Sequence, residues 1–310
     1  MTNSSPVKPH PIRGYLYIAA AGLLWGLTAS LGKAAFTHKL AATAESPIDP
    51  LILSQTRTTL SFLVLAPILL LVRGKAALAI SRKDFGRTLL LGTLGIAGSN
   101  YFYYLAIEKT TVATAIVLQY TAPGWVLLYM LARHRQRPTL LRVGAVLMAV
   151  AGSALAIGVF AQGRIKLDAV GIAAALAAAF SFAFYNVYGH KLLETNERWK
   201  IINYTLLGAA LFWLVVNPPW KIVAAHYSGE QWLFLFVFAM LSMLLPFSFY
   251  FAGLQYLDAT RAIVTSCLEP VFAILIAAAF LSEGLGPLQI VGVVVVLAAS
   301  IVVQLPEKSS

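Results

Sequence analysis

Apolar positions along this chain fall in long unbroken blocks, with short polar stretches rich in Lys and Arg between them. A helix needs about 20 consecutive apolar residues to cross the hydrocarbon core of a bilayer. Ten such blocks are expected, at 14–37, 51–72, 87–106, 111–132, 141–161, 168–190, 201–217, 231–252, 260–281 and 287–305, the seventh being the shortest. Only a polar tail at 1–13, short linkers and the tail 306–310 remain, so no soluble domain is expected. The first block follows "MTNSSPVKPHPIRG" directly, exceeds a signal-peptide core and lacks a small-residue cleavage site, and so reads as a retained helix.

Composition agrees with this pattern. The 310 residues are 59% hydrophobic and 11% charged, where soluble domains carry about 25% charged residues. An all-α integral membrane protein follows. The single cysteine, Cys267, excludes an internal disulfide or a cysteine metal cluster and reads as a small packing residue. A net charge of +11 raises the question of nucleic acid, but no basic strip is interleaved with aromatics. The cations instead sit between apolar blocks. With a cytoplasmic amino terminus, sixteen Lys and Arg fall on inner segments and six on outer ones, Arg57 lying inside the second block. That asymmetry places both termini in the cytoplasm.

The two halves of the chain are related. "LGIAGSNYFYYLAIEKTTVATAIVLQYTAP" (94–123) aligns without a gap onto "LSMLLPFSFYFAGLQYLDATRAIVTSCLEP" (241–270). Phe102, Tyr103, Ala115, Ile116, Val117 and Pro123 recur as Phe249, Tyr250, Ala262, Ile263, Val264 and Pro270, all 147 residues on. The loop after block four carries Arg133, Arg135, Arg137 and Arg142, whereas the one after block nine carries Glu283 and no cation. Equivalent loops therefore face opposite sides, and five spans per half invert the second half. The expected architecture is two inverted five-helix repeats, 14–161 and 168–305, around a central cavity. Inverted repeats with interrupted helices mark secondary transporters whose site lies at mid-membrane.

The residues also resemble a family. "LLWG" with Lys33, "QTRTTLSFLVLAPILL", "QYTAP" and, most specifically, "LEPVFAILIAAAFLSEGLGPLQIVGV" resemble EamA-type carriers of the drug/metabolite transporter superfamily over about 14–305. Within it the chain looks most like the YddG-like aromatic amino-acid exporters. Two departures stand out: "ARHRQRP" replaces the acidic residue usual after the fourth span, and Gly124 follows Pro123. The resemblance implies a ten-helix basket, alternating access, amino acids (aromatic and hydrophobic ones included) as exported cargo, the bacterial inner membrane and a functional monomer. The alternatives are the same fold carrying a nucleobase, nucleotide sugar or lipophilic cation, and a non-transporting membrane sensor or scaffold.

A small zwitterion in a low-dielectric chamber needs hydrogen-bond partners and aromatic faces. Asn100, Tyr103 and Tyr104 share one face of block three, and Ser181 and Tyr185 one face of block six. Block one offers Trp25 and Thr28, block four Gln119 and Tyr120, and block eight Tyr250. The plain alternative is interfacial packing, which covers Tyr15, Tyr17, Trp199, Trp220 and Trp232; Asn100 and Gln119 also suit interhelical hydrogen bonds. Glu269 stands in an apolar run, where a carboxylate costs roughly 2.5–3.5 kcal/mol. It is a proton-coupling group, a partner for a substrate ammonium, or a structural acceptor, and Arg57 is either its partner or a snorkelling cation. Pro123 and Pro270 free backbone carbonyls at equivalent points and are expected to act as hinges. Gly22 and Gly26, with Gly92, Gly95 and Gly98, read as close helix contacts.

Catalytic patterns are absent from the sequence. "SLGK" (30–33) matches S-x-x-K without its partner motifs, and no HExxH, Walker A, GxSxG or EF-hand loop occurs. Neither an enzyme nor a cofactor or metal is expected, and no nucleotide site supports a primary pump.

Overall fold

The computed structural model of the protein describes residues 10–36, 48–110, 112–134, 139–158, 168–281 and 286–305. Residues 1–9 and 306–310, Arg135, Arg137 and Glu283 lie outside the described residues, as does the side chain of Lys33, and residues 11–13 of the expected tail already belong to the first helix. Among the described residues all regular structure is helical. Helices α1 (Pro11–Phe36) and α2 (Pro50–Arg73) are followed by α3 (Arg82–Leu90), a π-helical segment at Leu91–Ala97 and α4 (Gly98–Lys109), which run on as one rod. Next come α5 (Val112–Gln119), α6 (Ala122–His134), α7 (Leu140–Ile157), α8 (Ala169–Leu193), α9 (Arg198–Val216) and the short α10 (Trp220–Ala224). A second rod joins α11 (Gly229–Ala239), a π-helical segment at Met240–Leu244 and α12 (Leu245–Leu254). The described chain closes with α13 (Ala259–Ser266), α14 (Leu268–Leu281) and α15 (Pro287–Val302).

Among the described residues, seven helices or helix pairs are long and apolar enough to cross a membrane, where ten were expected over the whole chain: 50–73, 114–133, 140–157, 169–193, 198–216, 229–254 and 259–279. The rod from Arg82 to Lys109 falls outside this set because charge crowds its first turns, at Arg82, Lys83, Asp84 and Arg87, and Asn100 interrupts its middle. Helix α15 is apolar but has only 16 residues, about 24 Å of rise against a hydrocarbon core of about 30 Å.

Side-chain oxygens close the helix starts. Asp49 accepts from Leu51 N (2.8 Å) and Ile52 N (3.0 Å), Asp168 from Gly171 N (2.9 Å) and Asp258 from Arg261 N (3.0 Å), satisfying amides that the first turn leaves open. Gly158 ends α7 in the left-handed region (φ 75°), which a residue without a Cβ adopts at no steric cost.

Two irregularities sit at matching places. The π-helical segments end at Ala97 and Leu244, and the interruptions between α5 and α6 (Tyr120–Thr121) and between α13 and α14 (Cys267) fall at Tyr120 and Cys267; each pair is 147 residues apart. Their causes are local. Thr93 Oγ1 turns back to Leu89 O and Leu90 O (3.2 Å each), competing with the helical ladder. Pro246 removes the amide that the Ser242 carbonyl would use. Pro123 and Pro270 do the same to Gln119 and Ser266, one turn before their own positions.

Helix pairing follows the same symmetry. α4 lies against α8 as α12 lies against α1; α14 packs on α1 as α5 and α6 pack on α8. α2 pairs with α9 and α7 with α15. Exchanging the two related halves returns the same set of pairs. Small residues permit the closest approaches: a Cβ on Gly292 would stand 2.2 Å from Ala156 N, and one on Gly26 2.7 Å from Ala273 N. The expected Gly22/Gly26 face thus packs α1 directly onto the backbone around Glu269.

Candidate functional site

The two helix interruptions bring a polar cluster together inside the bundle. Glu269 opens the first turn of α14, and Tyr120, at the break between α5 and α6, lies near enough for its hydroxyl to act on the carboxyl. Tyr103, on α4, lies close enough to feel the charges of both Glu269 and Arg57. Its ring stands 5.6 Å from that of Tyr104. Across from it, Arg57 of α2 donates through Nη2 to Asn100 Oδ1, while Asn100 Nδ2 donates to Ile96 O at 3.0 Å. Arg57, Asn100, Tyr103, Tyr104, Gln119, Tyr120 and Glu269 all remain partly accessible. Fixed charge, hydroxyls and aromatic faces are therefore clustered with part of their surface still accessible. No group of His, Cys, Asp and Glu among the described residues is arranged to hold a metal ion.

A second, aromatic cluster adjoins it. Trp25 of α1 stands 5.3 Å from Phe247 and 5.5 Å from Tyr250, ring centre to ring centre, with Phe182 at 6.4 Å. Tyr185 packs edge-on to Phe247 at 5.5 Å and to Phe251 at 5.4 Å. Trp25 is partly accessible, but Tyr185 and Tyr250 are 1% and 0% exposed. The Tyr250 hydroxyl is spent on Asn186 Oδ1. These two tyrosines are core residues packed among the other aromatics.

The other expected residues have structural partners. Thr28 Oγ1 donates back to Leu24 O (2.9 Å) and is 4% exposed. Ser181 is buried, with its hydroxyl against Gly98. Gln119 Nε2 reaches Ser99 Oγ at 3.3 Å, and that hydroxyl donates to Ala178 O, so Gln119 also ties three helices together. Sequence reasoning weighed Arg57 but did not place it in the site, and passed over Phe182 and Phe247. A lone guanidinium in an apolar block was the signal for the first; aromatics among many aromatics gave none for the others.

A further charged group joins α7 to α13. Asp258 Oδ2 lies 3.4 Å from Arg142 Nη2 and 3.7 Å from Arg261 Nε, with all three side chains about one-quarter exposed. Separate again is a surface pocket of about 480 Å³ at the start of α2, lined by Asp49, Ile52, Asn217, Lys221 and Tyr227, which shares no residue with the polar cluster.

Comparison with known proteins places the chain in a transporter family. The model of the EamA-like transporter family matches twice, over residues 12–158 and 169–305. The uncharacterised inner membrane transporter YicL of Salmonella typhimurium LT2 is 24% identical over 74% of this chain and 76% of its own length. The threonine/homoserine exporter RhtA of Salmonella typhimurium SL1344 is 28% identical over 68% of this chain and 69% of its own. A transporter of Archaeoglobus fulgidus is 26% identical over 73% and 81%. One solved crystal structure superposes with a TM-score of 0.76 over 94% of this chain and 95% of its own at 19% identity, a likeness of fold alone.

Proposed function

The chain belongs to the EamA-like transporter family, and from that we propose that it is a secondary carrier exporting amino acids from the bacterial cytoplasm by alternating access. The observation that carries this reading is the pair of helix interruptions, 147 residues apart, with Tyr120 and Glu269 beside them. Interrupted helices at a repeat interface are where secondary transporters hold substrate. The symmetric helix pairing and the twofold family match support two related five-helix units; their inversion, ten crossings and both termini inside follow from the charge pattern of the loops, and action as a single chain from the sequence resemblance. The name of the threonine/homoserine relatives supports an amino-acid cargo. Inclusion of aromatic amino acids rests on sequence resemblance alone. The binding chamber of this proposal is bounded by Trp25, Asn100, Tyr103, Tyr104, Gln119, Tyr120 and Glu269, with Thr28, Ser181, Tyr185 and Tyr250 behind them.

The test is efflux from liposomes loaded with a labelled amino-acid panel. Saturable efflux of at least one amino acid above protein-free liposomes is the expected result. No efflux of any amino acid, with efflux of a nucleobase, nucleotide sugar or lipophilic cation instead, would replace the cargo. No efflux of anything would end the carrier reading.

In the inverted topology Asp258, Arg142 and Arg261 lie on the cytoplasmic side, where they latch α13 to α7. Asn caps a helix as well as Asp does, so Asp258→Asn keeps the start of α13 and removes only the charge. A partly exposed ion pair is worth about 1 kcal/mol, or about fivefold in a two-state population. Cys267 is 1% exposed beside α7 and α15 and is the only cysteine of the chain. Its maleimide labelling rate should rise about fivefold in Asp258→Asn, and an unchanged rate would remove the latch.

A further inference from the structure

Arg57 and Glu269 share one space without closing on each other. Each is near enough for the charge of the guanidinium to act on the carboxyl, yet no pair of their nitrogen and oxygen atoms comes within the 4.0 Å of a salt bridge among the described residues. Opposite charges in a low-dielectric interior attract strongly, and two flexible side chains with nothing between them would be expected to meet. Here each has a neutral partner beside it on another element: Asn100 of α4 accepts from Arg57, and Tyr120 at the α5–α6 break stands by Glu269. The guanidinium is left underused. Its Nε is buried and without a partner, although a buried, unsatisfied donor is costly. Nor does the repeat symmetry call for these charges: Ala122 stands at the place equivalent to Glu269. One cation and one anion, added to a symmetric scaffold and kept apart, make a site that is neutral overall and strongly dipolar.

We propose that Arg57 and Glu269 are the two poles of a zwitterion clamp, Arg57 taking the α-carboxylate of the substrate and Glu269 its α-ammonium. This rests on the carrier reading above and adds to it the substrate class, free α-amino acids with both charged groups unblocked. The ligand sets the gap the clamp requires. In an α-amino acid the nitrogen and the carboxylate carbon are about 2.5 Å apart across one tetrahedral carbon. With charge-assisted hydrogen bonds of about 2.8 Å at either end, the ligand needs its two protein partners held about 8 Å apart, a gap that a direct ion pair would abolish. Arg fits a carboxylate through two parallel N–H donors, and the free Nε supplies one of them. The ammonium meets the Glu269 carboxylate, with the hydroxyl of Tyr120 and the ring of Tyr103 at its side. A ligand lacking either charge leaves one pole buried and unpaired, so blocked analogues are rejected by cost rather than by shape. The side chain is left to face the Trp25 end of the chamber, which sets the size of cargo.

The experiment is uptake by proteoliposomes of three forms of one transported amino acid: free, N-acetylated and carboxamide. The wild type is expected to favour the free form over each blocked form by about tenfold or more in kcat/KM, the scale of a lost charge-assisted hydrogen bond. Glu269→Gln should collapse the preference over the N-acetyl form and leave that over the amide; Arg57→Gln should do the reverse. Melting midpoints of both variants report folding separately. If wild type carries all three forms equally, or if either variant lowers all three by one common factor, the clamp is overturned while the carrier reading stands. If wild type carries no amino acid in any form but moves another metabolite, the cargo reading has failed and the clamp with it.

Discussion

Gly92→Val is expected to leave little folded protein. Gly92 sits in the π-helical segment of the first rod, where that segment crosses α9 backbone to backbone. A Cβ there would stand 2.1 Å from Thr205 O, 2.8 Å from Ala209 N and 3.0 Å from Gly208 Cα. None of these is the end of a movable side chain. The approach is reciprocal, since a Cβ on Gly208 would stand 2.4 Å from Leu89 O. Relief therefore requires the rod and α9 to separate by an ångström or more along a stretch whose neighbours, Leu91, Leu206 and Ala209, are no more than 1% exposed. Van der Waals packing is the main force between helices in lipid, so that separation forfeits contacts along both helices. Overpacking of a rigid core costs about 3 kcal/mol or more when backbone must move. In detergent the melting midpoint should fall by about 5 °C or more, with a matching loss of monodisperse protein on size-exclusion chromatography. Gly144→Ala on α7, where an added Cβ meets nothing within 4 Å, should match the wild type. A Gly92→Val protein with an unaltered midpoint would mean that the rod and α9 do not touch there.

The same crossing shows what could and could not be read from the sequence. The class of the protein was legible because burial in lipid is written in unbroken apolar blocks, and the close helix contacts because glycines at helical spacing have few other uses. The repeat was legible at Phe102–Tyr103 and Phe249–Tyr250 and at the two prolines. The π-helical segments were not: Thr93 back-bonds to its own helix and Pro246 starves the Ser242 carbonyl, but neither act has a pattern longer than one residue. Tyr185 and Tyr250 look no different in sequence from Tyr103 and Tyr120, yet the first two are walled in at 1% and 0% exposure. Helix periodicity gives the face a side chain occupies, and only packing decides whether that face meets a neighbour or a space. Arg57 was ambiguous for a related reason. Whether an arginine two turns into a helix snorkels or turns inward depends on an acceptor, Asn100, that lies 43 residues away.

The prolines give the second large effect, and it separates motion from stability. Each interruption is made twice over: Pro123 and Pro270 withhold an amide, and a neighbouring hydroxyl takes a backbone carbonyl of the preceding turn. Thr121 Oγ1 holds Leu118 O at 2.6 Å, and Ser266 Oγ holds Ile263 O at 2.8 Å. Below each break the chain is tied to other helices, by Gln119 to Ser99 in one half and by Asp258 to Arg142 in the other. If the two segments of each helix reorient about these points as the carrier turns over, straightening them raises the barrier. Proline inside a helix costs about 3 kcal/mol against alanine, most of it in the straight form. Alanine at both sites should therefore stabilise the straight helix, and a loss of about 1.4 kcal/mol at each in the bent transition state is a tenfold loss of rate per site. The Pro123→Ala, Pro270→Ala double variant is expected to melt no lower than the wild type, to keep its substrate affinity within a few-fold and to lose about 100-fold in turnover in the liposome assay. Each single variant should lose about tenfold, and any departure of the double variant from the product measures the coupling between the two breaks. Full transport by the double variant would show that the breaks shape the chamber but do not move, and the conformational change would then have to pass through the π-helical segments instead.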